Sequence, residues 1–328
     1  MRTKPGHPIF WLGFLGALIL LPWIGAEPIG IRSVVSHLLG SSSPDGLIFF
    51  QLRLPRVIMA LLAGGALAMA GAALQVLLRN PLAEPWTLGV AGGASLGAFL
   101  ARAAPLAWMV LGPLNASQAM ALAGAAIAMG VVLSIARRTG GYGTQTLLLA
   151  GITVGVVCGG IIMVVGGFVS PDQLAGFHRW LLGGLDAADW RDVGTLAMLA
   201  VPGMAILVAL AGELNPLGLG EEMAAGLGVD LARVRRWTVI ATGLAAAGVA
   251  AVAGPIGFVG LLAPHAVRRM VGPNMRRVLP NSFLAGGALL AACDAAGRWA
   301  AAPLEIPVGA LTAILGGPLF LWLLVRNK

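Results

Sequence analysis

The chain has 328 residues, 58% of them hydrophobic and only 10% charged, with a mean hydropathy of +0.90. A water-facing surface needs roughly 25% charged residues, so this composition excludes a soluble enzyme or binding module. The formal charge of +8, from 21 Lys+Arg against 13 Asp+Glu, fits the positive-inside bias of membrane insertion better than nucleic-acid binding. With 48 glycines, one tyrosine and ten phenylalanines, the chain describes helices packed through small residues. The aromatic girdles and alternating strands of a β-barrel are missing. The expected fold class is all-α: one polytopic membrane domain covering residues 1–328.

The N-terminus has a basic start and an apolar stretch like a signal peptide. Its length, and the spans that follow, favour an uncleaved first helix. A helix needs about 20 apolar residues to cross a ~30 Å hydrocarbon core. Apolar runs lie near 9–26, 57–78, 86–111, 119–136, 147–169, 193–212, 237–267, 281–302 and 306–325. The run at 237–267 is too long for one span and contains Gly254-Pro255, a helix breaker. Splitting it gives a full helix to about residue 253 and a short one near 257–267, ending at Pro264-His265.

That makes ten spans. Both termini are basic, through Arg2 and Lys4 and through Arg326 and Lys328, and an even count places both in the cytoplasm. The 21 basic residues then divide 14 inside to 7 outside in the expected sense. Residues 171–192 hold an amphipathic stretch too short to span, expected as an outer surface helix near 172–182. Residues 213–230 form a long inner loop with a short helical piece.

Several chemistries are missing. There is no G-x-x-x-x-G-K-[ST] nucleotide loop and no H-E-x-x-H. Cys158 and Cys293 sit inside apolar runs, so no disulfide framework is implied, and the four histidines are scattered. The centres of the runs are almost bare of charge: Glu84, Glu213, Asp294 and Glu305 fall near predicted ends. A secondary transporter or an intramembrane enzyme needs ionisable groups there. The driving energy is therefore expected from a partner.

RLPRVIMALLAGGALAMAGAALQVLLRNPLAEPWTLGVAGGASLGA (53–98), LLLAG (147–151), RWLLGGL (179–185), LGLGEEMAAGLGV (217–229), GPIGFVGLLAPHAVRRMVG (254–272) and LEIPVGALTAILGGPLFLWLL (304–324) carry a resemblance over nearly the whole chain. They resemble the membrane permeases of type II ABC importers, the family that takes up cobalamin, ferric siderophores and heme. The resemblance implies a ten-helix subunit working as a homodimer around a central pathway. Two ATPase subunits, carrying ATP and Mg, bind below, and a periplasmic binding protein delivers substrate from above; the permease itself holds no cofactor and no metal. Heme and ferric siderophore lead as cargo, with cobalamin behind.

By the same resemblance, 217–229 is the coupling loop. Glu221 and Glu222 offer carboxylates to the ATPase, Met223, Ala224 and Leu227 offer apolar contact, and Gly226 and Gly228 make the turn. Arg53, Arg56 and Arg298, with few acids expected beside them, match positions that accept glutamates of the binding protein. Arg102, Arg179 and Arg191 are left as snorkelling residues. The loop TGGYGTQT (139–146) is two residues longer than a family form, and Thr144 and Gln145 fall at its inner-gate positions. Gly92, Gly93 and Gly97 are expected to pack helices rather than to cradle phosphate.

Overall fold

The computed structural model describes residues 8–25, 27–41, 43–104, 109–139, 144–185, 188–302 and 304–326. The terminal charges Arg2, Lys4 and Lys328 and residues 140–143 of the 139–146 loop lie outside the described residues. In chain order the helices are α1 (Pro8–Leu20), α2 (Ile31–Leu38), α3 (Pro44–Ile48), α4 (Leu54–Leu77), α5 (Val90–Ala103), α6 (Ala116–Arg138), α7 (Thr144–Gly166) and α8 (Pro171–Leu181). They continue with α9 (Trp190–Ala209), α10 (Ala211–Leu217), α11 (Glu221–Gly226), α12 (Leu231–Ala253), α13 (Val259–Val271), α14 (Met275–Ala300) and α15 (Val308–Arg326). Ten of these follow the ten expected runs, and α8 is the expected surface helix. Among the described residues, six helices are long and apolar enough to cross a membrane: α4 with the turns before it, α6, α7, α9, α12 and α14. The chain is a polytopic α-helical membrane protein.

Local chemistry places the boundaries. Asn115 with Gln118, and Ser170 with Gln173, form capping boxes that start α6 and α8, satisfying backbone donors that have no intrahelical partner. Between α4 and α5, Arg79 takes a left-handed backbone (φ 46), and the chain restarts in a single tight turn at Pro85. The break at Gly254-Pro255 is where it was expected, with Gly254 left-handed (φ 72) at the end of α12.

The short helix after that break runs further than expected. α13 continues through Pro264 and His265 to Val271. Proline there removes the amide that would bond the carbonyl four residues back, which is that of Gly260. Gln75 of α4 donates its Nε2 to that carbonyl at 3.2 Å, so the lost bond is replaced and the helix carries on. Phe258 caps α13 in the left-handed region (φ 67), and its side chain lies on the backbone of Gly316 in α15.

α4 is the axis of the packing. Its most apolar window is 89% buried, against α14, α13, α12 and α9. Glycines let these backbones touch. A Cβ built on Gly64 would come 2.3 Å from the carbonyl oxygen of Gly286, and one on Gly71 would come 1.8 Å from that of Gly260. Gly93 and Gly97 do the same against α6, while Gly92 lies against Gly155 of α7, so all three are packing positions. α7 is the opposite case, with only 17% of its apolar window covered.

Close approach of backbones sets a paired expectation. Gly71→Ala forces overpacking, which costs about 1–3 kcal/mol. Gly130→Ala, on α6 with nothing within 4 Å, gains helix propensity of about 0.5–1 kcal/mol. In thermal unfolding of the detergent-solubilised protein the first should lower the midpoint and the second should hold or raise it. Equal behaviour of the two variants would refute this account of the packing.

Candidate docking and coupling surfaces

The two surfaces lie at opposite ends of α4, a helix of 24 residues and so about 36 Å long. At its N-terminal end, Arg53, Arg56 and Arg298 come together, as the resemblance implied. They are not exposed among few acids. Arg53 is buried and its guanidinium donates to three backbone carbonyls, those of Pro22, Trp23 and Glu27. Arg298 is buried as well and donates to the carbonyls of Ile24 and Leu21. Both fasten the segment after α1, whose described residues form one tight turn at Leu21–Trp23.

Asp294 stands at the centre. It is 2% exposed and lies one helical turn before Arg298, whose Nε is 3.1 Å from Oδ2. That contact is an ion pair without hydrogen-bond alignment. Arg56 meets the same carboxylate side-on: Nε is 3.1 Å from both oxygens and Nη2 is 2.9 Å from Oδ1. A carboxylate buried here is tolerable only because two guanidinium groups share it. The remaining arm of Arg56, Nη1, donates to Glu305 at 2.8 Å, and that side chain is 42% exposed.

At the far end, α10 packs on α4 and α14, and Asn215 accepts from the amide of Met275. α11 follows, six residues long and closed by a Schellman turn. Val229 N–H donates to the Ala224 carbonyl and Gly228 N–H to that of Ala225, with Gly228 left-handed (φ 80). Gly228 is thus the turn residue expected. Glu221 is ion-paired to Arg235 of α12 within the chain, whereas Glu222 stands exposed. Ala224 is fully buried against its own subunit, so it cannot supply the outward contact expected of it. Leu219, Met223 and Leu227, spaced four apart, are 67%, 53% and 66% exposed. Leu219 was missed, although the four-residue spacing was visible.

Gln145 is exposed at the start of α7, and Thr144 begins that helix with its side chain outside the described residues. Along α7, Leu149, Ile152, Val156, Met163 and Val164 present an uncovered apolar face. Arg191 donates to the Gly112 carbonyl, and Arg102 of α5 and Arg179 of α8 line the same cavity.

Residues 12–326 match the model of the FecCD transport family. The chain belongs to that family. It is 35% identical over 325 residues to the hemin transport system permease protein HmuU of Yersinia pestis, covering 98% of this chain and 97% of the relative. It is 42% identical over 306 residues to the cobalamin import system permease protein BtuC of Halobacterium salinarum, covering 93% and 79%. It is 38% identical over 308 residues to the Fe(3+)-citrate import system permease protein YfmD of Bacillus subtilis, covering 93% and 90%. Among solved structures, it superposes on a metal-chelate type ABC transporter in an inward-facing conformation with a TM-score of 0.86 and 26% identity. That match covers 98% of this chain and all of the other. The fold is that of a type II ABC importer permease.

Asp294 and Glu305 were passed over as acids near helix ends. One signal was available, an Asp and an Arg at i, i+4 in the apolar stretch Asp294–Arg298. Removing the shared carboxylate strands buried cations, a loss of about 3–5 kcal/mol when one member of a buried pair goes. Asp294→Ala is therefore expected to reduce the yield and thermal stability of the solubilised protein far more than Glu305→Ala. Comparable midpoints for the two would show that Asp294 does not hold this end together.

Proposed function

We propose that this chain is the permease subunit of an ATP-driven importer that carries an iron chelate, heme or a ferric siderophore, from periplasm to cytoplasm by alternating access. The observation that carries the reading is the stripe of Leu219, Met223 and Leu227. Three large apolar side chains stand uncovered on a short helix held by the Schellman turn and the Glu221–Arg235 pair. Such a patch on a fixed mount suits a protein contact. A chain with no nucleotide loop needs that contact to receive energy.

In this reading the α11 end faces the cytoplasm and seats two ATPase subunits, which hold ATP and Mg, while the permease carries no cofactor. Glu222 adds a carboxylate to that contact. The arginine end faces the periplasm and receives the substrate-binding protein. The uncovered face of α7 meets a second copy and the pathway, with Thr144 and Gln145 at its inner gate. Both termini are cytoplasmic, in the inner membrane. The names of the relatives, for hemin, cobalamin and Fe(3+)-citrate, support a metal chelate as cargo. Cobalamin is the alternative within the family.

An ion-coupled secondary transporter is the rival from another class. It needs ionisable groups along its pathway. The buried charged residues among those described are Arg53, Asp294 and Arg298, all in the cluster at one end.

Proteoliposomes holding the permease, its ATPase subunits and its binding protein test the reading. ATP-dependent uptake of heme or a ferric siderophore is expected; uptake of cobalamin alone would change the cargo, and uptake without the ATPase would favour the rival. Replacing Leu219, Met223 and Leu227 together by Ser should weaken ATPase association about tenfold or more, equivalent to ~1.4 kcal/mol. Wild-type coupling in that variant would sink the α11 assignment. Thr144→Cys and Gln145→Cys should each crosslink across the dimer in at least one nucleotide state. Labels that stay more than ~10 Å apart, one helix diameter, in every state would remove both residues from the gate.

A further inference from the structure

The three arginines at the docking end are held in different ways. Arg53 and Arg298 donate to five backbone carbonyls, those of Leu21, Pro22, Trp23, Ile24 and Glu27. Turning either guanidinium outward would break two or three of these partly buried hydrogen bonds at once. Arg56 is divided. Its inner edge grips Asp294, which is 2% exposed, and its outer arm holds the half-open carboxylate of Glu305 at 2.8 Å.

Only that outer arm can change partners cheaply. An arriving carboxylate accepts the same Nη1 hydrogen bond, Glu305 returns to water, and the Asp294 contacts are untouched. The cluster also favours an incoming acid: two guanidinium groups, of Arg56 and Arg298, share one buried carboxylate, so once the exposed Glu305 leaves, a positive charge is uncompensated at Arg56. Glu27 and Asp45 act electrostatically on Arg53 instead.

The geometry points to Glu305 as an intramolecular placeholder, displaced from Arg56 by a carboxylate on an acidic protein surface. This rests on the docking reading above and narrows it. Arg56 is the arginine that meets the partner, and Arg53 and Arg298 are positioning residues that never touch it. Glu305 sits in the connection between α14 and α15, beside Ile306, whose amide donates to the Gly297 carbonyl at 3.3 Å. Its release removes the connection's ion pair to α4 and leaves the Ile306–Gly297 bond in place.

The test uses the full transporter in nanodiscs and its binding protein, with association followed at low and physiological salt. Glu305→Gln removes the competitor and should tighten association about three- to fivefold, the range an exposed ion pair supports. Glu27→Gln makes the same charge change away from Arg56 and should alter association less than about twofold by the same measure. Arg56→Lys keeps a cation beside Asp294 while losing the fork, and should weaken association; Arg56→Gln should weaken it further. Arg53→Lys and Arg298→Lys should lower thermal stability and leave the association rate of the folded protein unchanged. Weakened association in the Arg56 variants with none gained in Glu305→Gln would overturn the exchange and leave docking standing. Equal gains in Glu305→Gln and Glu27→Gln would also overturn it, as a general charge effect. No change in the Arg56 or the Glu305 variants would remove the docking reading itself.

Discussion

Contact between bare backbones is the constraint on which the rest of this structure depends. In lipid, apolar side chains gain nothing from hiding against one another, so helices associate through close packing and internal hydrogen bonds. α4 meets α14 at Gly64 and Gly286 and meets α13 at Gly71 and Gly260, with carbonyl oxygens where a Cβ would otherwise sit. That proximity lets Gln75 reach the Gly260 carbonyl left open by Pro264. It also draws the N-terminal end of α4 against the C-terminal end of α14, where Arg56 finds Asp294. Small residues thus decide both the interior and the charge pairing at its rim.

Hydropathy revealed the element plan because a membrane span is a property of a local window. The ten runs, the break at Gly254-Pro255 and the surface helix at Pro171–Leu181 all come from residues near one another in sequence. The end of α13 did not follow from its own residues. Pro264 is a stop signal locally, and its cancellation comes from Gln75, 185 residues away from the carbonyl it satisfies.

The functional surfaces divide along the same line. The short helix at 221–226 and its closing glycine were legible as local motifs, and so was the gathering of arginines at one end by resemblance. Their state was not. Arg56 and Asp294 are 238 residues apart, and nothing in the segment RLPR announces a buried carboxylate waiting for it. Ala224 looks apolar and available in the one-dimensional chain, yet the turn of α11 aims it inward and leaves the outward contact to Leu219, Met223 and Leu227.

The side chain of Phe258 rests on Gly316, where even a methyl group would collide with its Cβ. The pairing works as a tenon in a mortise. α13 and α15 are separated by all of α14 in sequence, yet a sideways displacement of α13's first turn has to carry α15 along or lift the ring out. The two helices therefore meet directly at this depth, and a larger residue at 316 would have to push them apart.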